Sequence, residues 1–384
     1  MNETAIKRVV VKLGTRVLTL DDGRLAQERL DALIEDVADL MRLGKEVLLV
    51  SSGAVGLGRD AIGLPPGPSD LATRQACAAI GQGRLMGIYE QKFATHNLCC
   101  AQVLLTQSDF DDRQRYENLS RTLKTLLRHR VIPIINENDV VATDELAYVN
   151  PRLAGASSPN TAKPPRVSFG DNDQLAAILA ANLDADLLVL LTDVDAVYDK
   201  NPVKNADAQR IQTWTVSTEV NADQDPGAGR GGMRSKIRSA SHAARAGCTA
   251  VIASGREEHT LQRVFSDDKP GTWFPPMGRL SPEHQWMVHT AKLSGIMYVK
   301  PGRAGMLSRP QTSLLAGDVE RVEGAFIAGQ VVEIRTEGDA IVGRGAASCP
   351  ADIARAWTKR SSREDPSDPV VLVRWDKLVL GTQQ

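Results

Sequence analysis

A run of four polar residues, Asn-Glu-Asn-Asp at positions 136–139, is the part of the chain best suited to chemistry. It directly follows the apolar segment 131–135, whose β-branched residues are typical of a short strand buried in a parallel sheet. The polar run would then lie at the carboxyl end of that strand, the edge where open α/β sheets bind ligands. The amide and carboxylate groups therefore predict a binding site for a small polar molecule that carries an amino group.

Two other segments have residue types suited to phosphate. Lys12 is a compact cation at the end of an apolar segment, and the following Gly14 lets backbone N–H groups approach an anion. Residues 229–236, Gly-Arg-Gly-Gly-Met-Arg-Ser-Lys, lead into a helical pattern whose first N–H groups favour anions. The spacing matches neither a Walker A loop nor the GxGxxG dinucleotide motif. A lysine on an edge strand and a flexible linker are the alternative interpretations.

Two short acidic motifs complete the set of chemically suited residues. Gly-Asp-Asn-Asp at 170–173 precedes a helical pattern, so either aspartate could be an N-cap, although three polar residues exceed what capping needs. Thr192-Asp193 follows another apolar segment with the same ambiguity. None of the six histidines lies near these motifs, so a Ser-His-Asp triad is not indicated. A carboxylate nucleophile is already ionised at pH 7, and phosphoryl transfer to it rests on positioning and charge neutralisation.

The elements that must position these residues alternate between strands and helices. Helical spacing is found over 26–43, 70–95, 114–129, 171–183 and 233–246, and short apolar segments lie at 6–13, 45–50, 101–105, 131–135, 187–191 and 250–253. This alternation predicts an α/β fold with an open, mainly parallel sheet sandwiched by helices.

The pattern changes near residue 270, where proline and glycine become frequent and short β segments follow. We predict an α/β domain over 1–270, a linker over 271–290 and a small β-rich domain over 291–384. Residues 151–169 contain four prolines and show no periodicity, which indicates a loop.

Composition narrows the classes of function. The net charge of −1 gives no support to a nucleic-acid or membrane-surface role for the whole protein. Five scattered cysteines fit reduced thiols in a cytoplasmic protein, and the adjacent Cys99 and Cys100 lack neighbours that could complete a metal site. No segment has the roughly 20 apolar residues that span a bilayer, so we expect no membrane association and no metal site made by protein ligands alone.

Taken together, the motifs resemble the glutamate 5-kinases, a branch of the amino acid kinase family, over roughly residues 6–255. The similarity is carried by Val-Val-Lys-Leu-Gly-Thr at 10–15, Ser-Ser-Gly-Ala at 51–54, Asp-Arg-Gln-Arg-Tyr-Glu-Asn at 112–118, Ile-Pro-Ile-Ile-Asn-Glu-Asn-Asp at 132–139, Gly-Asp-Asn-Asp at 170–173, Leu-Thr-Asp-Val at 191–194 and Gly-Gly-Met-Arg-Ser-Lys at 231–236. The resemblance implies ATP-dependent phosphorylation of the L-glutamate side-chain carboxylate, with Mg²⁺ on the ATP phosphates. It also implies inhibition by proline and a homodimer or homotetramer.

The resemblance also implies roles for individual residues. Lys12 and Lys236 would stabilise the transferring phosphoryl group, and Asp193 would orient these lysines. Glutamate would be bound by Ser52, Asp139 and Asn172. The nucleotide would contact Lys12, Thr192, Asp193, Arg230, Gly231, Gly232, Met233, Arg234, Ser235 and Lys236. Less specific contributions to the site are implied for Gly14, Gly53, Asp171 and Asp173.

Residues from 313 onward resemble a PUA domain, a C-terminal addition found on many glutamate 5-kinases. Ser-Leu-Leu-Ala-Gly at 313–317, Val-Glu-Gly-Ala-Phe at 322–326, Gly-Gln-Val-Val at 329–332 and the segment 369–380 carry this similarity. PUA domains elsewhere bind RNA, but acidic and basic residues are balanced here, so charge does not support RNA binding.

Three features depart from the family pattern. Arg230 stands where the family has threonine, Ala196 stands where it has glycine, and the segment 151–169 lengthens a connection that is normally short. Two alternatives stay open at this point: a kinase for another carboxylate, such as N-acetylglutamate or aspartate, and an RNA-binding protein with an inactive kinase domain.

Overall fold

The computed structural model describes residues 6–20, 24–65, 67, 69–142, 171–215, 232–278, 281–289, 291, 293–309, 311–361 and 370–380. The segment 151–169, Gly170, Arg230 and Gly231 therefore lie outside the described residues. The chain divides into two compact units, Met1–Asp109 with Gln114–Arg279, and Phe110–Arg113 with Leu280–Gln384. The domain limits at 270 and 290 stay a prediction.

The first part of the chain alternates strands and helices. In order, the elements are β1 Arg8–Leu13, α1 Thr15–Leu18, α2 Gln27–Arg42, β2 Glu46–Ser51, α3 Ala54–Ala61, α4 Leu71–Ala94, β3 Cys99–Leu105, α5 Ser108–Asp111, α6 Arg113–Arg128, β4 Val131–Glu137, α7 Asn172–Asn182, β5 Leu187–Thr192, β6 Val197–Tyr198, β7 Arg210–Ile211, α8 Met233–Arg245, β8 Thr249–Ser254, α9 Thr260–Val264 and β9 Thr272–Phe274.

In the described part of the first unit, seven strands form one sheet in the order β3-β4-β2-β1-β5-β8-β9. The pairs from β3 to β8 are parallel, and β9 runs antiparallel to β8. The central strand β1 pairs with both β2 and β5, and its residues Val9, Val10 and Val11 are fully buried. Burial on both faces explains the continuous apolar segments of the sequence. The predicted α/β class with a mainly parallel sheet is confirmed.

Strand order brings the polar strand ends together. The neighbours β4, β2, β1 and β5 are parallel, so their carboxyl ends share one edge of the sheet. Glu137, Ser51, Leu13 and Thr192 are the last residues of these four strands. The motifs that contain Lys12, Ser52, Asn136 and Thr192 therefore begin at or next to this edge.

Some local elements were not anticipated from periodicity. Helix α3 has glycines at 56 and 58, which weaken a helical pattern, and the β6–β7 hairpin has only two residues in each strand. Gly58 and Gly81 let α3 and α4 approach closely, because a Cβ atom at Gly58 would collide with the carbonyl of Cys77. The backbone contact between the helices therefore explains both glycines.

The second unit is rich in β structure. Its elements are α10 Pro282–His289, β10 Leu293–Val299, α11 Ala304–Leu307, β11 Leu314–Leu315, β12 Val319–Gly324, β13 Val331–Thr336, β14 Ile341–Ala347, α12 Ala351–Ser361 and β15 Val371–Leu380. Its described strands form a sheet in the order β11-β15-β14-β13-β10-β12. A separate core includes Met297, Leu314, Ile334 and Leu372. The predicted β-rich C-terminal part is confirmed, and α12 is an addition that the sequence interpretation missed.

Across the residues with a described position, no helix combines the length and apolar character needed to cross a membrane.

Candidate active site

A cavity of about 1170 Å³ opens at the carboxyl edge of the parallel sheet in the first unit. This volume exceeds the usual range for a single small ligand, so it can hold two substrates side by side. The predicted residues Lys12, Ser52, Asp139, Asn172 and Lys236 all line it. Asp139 and Asn172 thus face the same cavity, although the segment that connects them, with its predicted loop at 151–169, lies outside the described residues.

Asp173 lies between the two predicted phosphate-binding lysines. Its Oδ1 atom is 2.6 Å from Lys12 Nζ, and its Oδ2 atom accepts a hydrogen bond of 2.9 Å from Lys236 Nζ. Lys12 is 5% exposed, Lys236 is 7% exposed and Asp173 is fully buried. One carboxylate therefore positions both ammonium groups where little water can screen them.

Asp173, and not Asp193, makes the described contacts with both lysines, and the predicted role of Asp193 in orienting them stays a prediction. Asp193 instead accepts hydrogen bonds from Arg16 Nη1 at 3.0 Å and from Thr192 Oγ1 at 3.1 Å. Asp173 takes the position between the lysines because it lies in the first turn of α7, where its side chain is buried, whereas Asp193 follows the end of β5. Arg16, Thr192 and Asp193 still line the cavity.

The charges of this cluster shift the pKa values of two neighbouring aspartates in opposite directions. Burial alone would raise the pKa of Asp173, but Lys12 and Lys236 outweigh it and hold that pKa below its usual value. Burial and the adjacent charge of Asp173 raise the pKa of Asp171, against hydrogen bonds from Ser235 and the Gln174 amide. Asp171 is the N-cap of α7 and accepts from Gln174 N at 3.0 Å. Asp171 is therefore a helix N-cap, one of the alternatives that the sequence left open, whereas Asp173 is not.

Asp193 has a pKa held below its usual value for a different reason. Partial burial raises the pKa of Asp193, but hydrogen bonds from Arg16, its own backbone amide and Thr192 together lower it by more. Arg16 is largely exposed, with 69% of its side-chain surface accessible, so this pair lies at the solvent side of the cavity.

A chain of amide hydrogen bonds lines the opposite part of the cavity. Asn172 Nδ2 donates to Ser52 Oγ at 2.9 Å and to Asn136 Oδ1 at 2.9 Å. Asn136 Nδ2 in turn donates to Gln82 Oε1 at 3.0 Å. This chain joins the ends of β2 and β4 to α7 and α4, and it holds two predicted glutamate ligands, Ser52 and Asn172, in fixed orientations.

Some of the described residues of the glycine-rich segment lie at the cavity. Gly232 is the extended N-cap of α8, and Gly232, Met233 and Lys236 line the cavity. Ser235 donates to Asp171, and Arg234 is exposed, so neither of these two belongs to the cavity wall. Arg230 and Gly231, the remaining predicted residues of this loop, lie outside the described residues.

The remaining predicted positions also lie at the cavity. Gly14 and Gly53 line it, and Gly53 has a φ of 105°, a left-handed conformation that favours glycine. Ala196, which departs from the family pattern, is 1% exposed and lines the same cavity.

The cavity wall also contains polar residues that had been given no individual role from the sequence, among them Arg16, Arg74 and Asn136. Asn136 belongs to the polar run that the sequence predicted to be a binding site, as its first residue. Arg74 lies on α4, where no motif marks it, and only the packing of α4 brings it to the cavity.

Among the described residues, no cluster of three or more His, Cys, Asp or Glu side chains could hold a metal ion by itself.

Comparison with known proteins identifies the family. The model of the amino acid kinase family matches residues 7–254, and the model of the PUA domain matches residues 297–364. The chain belongs to the amino acid kinase family. Its relatives include glutamate 5-kinase of Marinomonas sp., 40% identical over 88% of this chain and 86% of the relative, and glutamate 5-kinase of Myxococcus xanthus, 39% identical over 91% and 88%. Glutamate 5-kinase of Thermobifida fusca is 39% identical over 88% and 83%. This amino acid kinase therefore lies in the glutamate 5-kinase branch.

Proposed function

We propose that this amino acid kinase transfers the γ-phosphoryl group of ATP to the side-chain carboxylate of L-glutamate. The product would be L-glutamyl 5-phosphate, which begins proline biosynthesis. The buried Asp173 that holds Lys12 and Lys236 beside an amide-lined cavity is the observation that carries the proposal. The relatives named glutamate 5-kinase are 40% and 39% identical to this chain over most of both lengths, which supports glutamate as the acceptor.

The phosphoryl transfer step needs charge neutralisation more than proton transfer. The attacking carboxylate is ionised at neutral pH, so no general base is required. Lys12 and Lys236 neutralise charge on the transferring phosphoryl oxygens, where preorganised cations contribute most. Asp173 keeps the two ammonium groups in place, so little reorganisation is needed when charge develops.

The amino-acid substrate has three charged groups to satisfy. The Asp139 carboxylate lines the cavity and is a suitable partner for the substrate ammonium group. Ser52 and Asn172, joined by their own hydrogen bond of 2.9 Å, provide polar atoms beside it. We assign these three residues to glutamate binding.

The nucleotide takes the part of the cavity formed by β5, the β6–β7 hairpin and the start of α8. Thr192, Asp193, Gly232, Met233 and Lys236 line this part. The N-terminus of the 13-residue α8 offers backbone N–H groups to phosphate oxygens. Arg230 and Gly231 are assigned to the nucleotide on sequence grounds alone.

Mg²⁺ fits the donor set of this cavity. Mg²⁺ is commonly held by one or two carboxylates together with substrate phosphates and water. The carboxylates of Asp171 and Asp193 line the cavity and are the residues proposed to hold it with ATP. The ion would supply neutralisation of the negative charge on the phosphates.

A trapping assay tests the proposed reaction. Protein with L-glutamate, ATP, Mg²⁺ and hydroxylamine should give a glutamyl hydroxamate, while Lys236→Ala should reduce the rate at least a hundredfold. Lys359→Ala, an exposed lysine on α12, is the matched control and should keep full activity. Equal rates for the unmodified protein and Lys236→Ala would reject the proposal, and faster turnover of N-acetylglutamate or aspartate would reassign the substrate.

Four further properties belong to the same proposal and rest mainly on the family resemblance. We propose a homodimer or homotetramer, inhibition by proline, a kinase domain over 1–270 joined by 271–290 to a PUA domain over 291–384, and a cytoplasmic location. All five cysteines are free thiols, which supports a reducing compartment. Light scattering and the hydroxamate assay with added proline test the first two.

A further inference from the structure

Gln82 of α4 does not line the cavity, yet it ends the hydrogen-bond chain that holds the substrate side. It is 8% exposed and accepts from Asn136 Nδ2 at 3.0 Å. Asn136 is itself 3% exposed, and its Oδ1 atom accepts from Asn172 Nδ2 at 2.9 Å.

The direction of every bond in the chain is set by one backbone group. Glu137 N donates to Asn136 Oδ1 at 2.9 Å, and a backbone N–H can only donate. The Oδ1 atom of Asn136 must therefore face that amide, and its Nδ2 atom must face Gln82. Gln82 consequently has to present its oxygen, because two NH₂ groups cannot bond to each other.

The same direction passes from Asn136 to the substrate side of the cavity. Asn172 must donate to Asn136, and its second N–H donates to Ser52 Oγ. The Asn172 side chain then keeps its oxygen as an acceptor for the substrate ammonium group, and Ser52, which accepts from Asn172, keeps its O–H as a donor for a substrate carboxylate. The polarity of these two groups therefore matches an amino acid.

Gln82 carries out this role at a cost to folding. Among the described residues, its Nε2 atom is buried and has no hydrogen-bond partner. A buried donor without a partner destabilises the folded state. An apolar side chain of similar length would remove that donor but leave Asn136 Nδ2 without its acceptor, so the two penalties nearly balance. Stability therefore does not explain a glutamine at this position, whereas its bond to Asn136 does.

We propose that Gln82 is a positioning residue that sets the orientation of Asn136, and through it the acceptor of Asn172 and the donor of Ser52, for the amino-acid substrate. This inference rests on the proposed function, since it assigns that half of the cavity to the amino acid. It acts on the amino acid and not on ATP, and this difference can be measured.

Three variants test the proposal in the full-length protein. Gln82→Met keeps length and volume but removes the acceptor, and Gln82→Glu keeps an oxygen acceptor while removing the unpaired donor. Gln91→Met makes the same change at an exposed glutamine of the same helix and is the matched control. Each variant is measured for the KM of glutamate, the KM of ATP, kcat and the melting temperature.

Gln82→Met should raise the KM of glutamate about tenfold, the effect of losing one positioned hydrogen bond. It should leave the KM of ATP within about twofold and the melting temperature within about 3 °C, since one unpaired donor replaces another. Gln82→Glu should recover most of the glutamate KM, and Gln91→Met should match the unmodified protein.

Several results would overturn the inference. One is an unchanged glutamate KM in Gln82→Met, and another is a parallel rise of both KM values with loss of thermal stability. The others are loss of cooperative unfolding in Gln82→Met and a Gln82→Glu variant that is as impaired as Gln82→Met. Failure of this inference is distinguishable from failure of the proposed function, because the activity of the unmodified protein tests the proposed function without any variant. If it phosphorylates aspartate or N-acetylglutamate instead, the same variants are compared on the KM of that substrate.

Discussion

Lys236 Nζ donates a hydrogen bond of 2.9 Å to Asp173 Oδ2, across 63 residues of sequence and between the first turns of α8 and α7. The other oxygen of the same carboxylate contacts Lys12 at 2.6 Å. Among the described residues, two cations thus share one buried carboxylate, so removal of that carboxylate takes away the contact that offsets their repulsion.

Replacement of Asp173 by asparagine should impair both folding and catalysis. Asn keeps the shape of the side chain but removes the negative charge that contacts both Lys12 and Lys236, and breaking a buried ion pair costs about 3–5 kcal/mol. We expect the free energy of unfolding to fall by that amount and kcat to fall about a hundredfold. Denaturant titration and the hydroxamate assay measure these changes.

The control for Asp173→Asn is Asp193→Asn, which breaks the exposed pair with Arg16. Exposed pairs contribute about 0–1 kcal/mol, so its unfolding free energy should change by no more than that. Equal losses of stability in the two variants would contradict the buried cluster.

Replacement of Asp171 by asparagine should instead raise the free energy of unfolding. The pKa of Asp171 is raised, so its charge destabilises the folded state above that pKa, and asparagine still caps α7. We expect the variant to be more stable than the unmodified protein by about 0.5–1 kcal/mol at pH 7. Thermal unfolding of both proteins at pH 7 measures the difference, and a loss of stability there would show that the charge of Asp171 is needed.

Acid should affect the two aspartate variants differently. The pKa of Asp173 is lowered, so its stabilisation is present above the ordinary aspartate value near 4 and disappears as pH falls through the lower folded pKa. The difference in unfolding free energy between the unmodified protein and Asp173→Asn should therefore become smaller below about pH 4. The advantage of Asp171→Asn should vanish as pH falls to the same value, because the carboxyl is then protonated in both states. A pH series of unfolding midpoints checks both signs.

Arg16 should contribute to the nucleotide half of the site. Its guanidinium lies at the solvent side of the cavity, 3.0 Å from Asp193, and follows the Gly14-Thr15 turn after Lys12. Arg16→Ala should raise the KM of ATP about fivefold, the scale of a partly exposed charged contact, and leave the KM of glutamate unchanged. Arg42→Ala, on the last turn of α2, is the control. A larger effect of Arg16→Ala on the KM of glutamate than on the KM of ATP would contradict the assignment of Arg16 to the nucleotide half of the cavity.

Two glycines of α4 should respond to alanine in opposite ways. A Cβ atom at Gly81 would collide with the carbonyl oxygen of Ala54, whereas a Cβ atom at Gly83 meets nothing within 4 Å. Gly81→Ala should destabilise the protein by about 1–3 kcal/mol and disturb Ser52 through the start of α3, raising the KM of glutamate. Gly83→Ala should stabilise it by up to about 1 kcal/mol. Melting curves of the pair decide, and similar shifts in both would contradict the close approach of α3 and α4.

The sequence predicted much of the fold because its signals are local. Helix α2 and strand β5 were found from the spacing of their apolar residues, and the ends of β2, β4 and β5 were found from the polar residues that follow them. Helix α3 was missed because its glycines weaken the local signal, and the β6–β7 hairpin was missed because two-residue strands carry almost none.

The sequence by itself determined which residue types gather at one edge of a parallel sheet. Lys12 lies near the end of a strand, Ser52 and Asp139 follow strands, and Asn172 begins a helix there. Only the tertiary structure decided their partners. Asp173 rather than Asp193 holds the lysines, and Gln82 orients the amides, because strand order and helix packing bring together residues separated by 54 or more positions. No local spacing encodes such distances, so the choice between two neighbouring aspartate motifs depends on which side chain the fold buries.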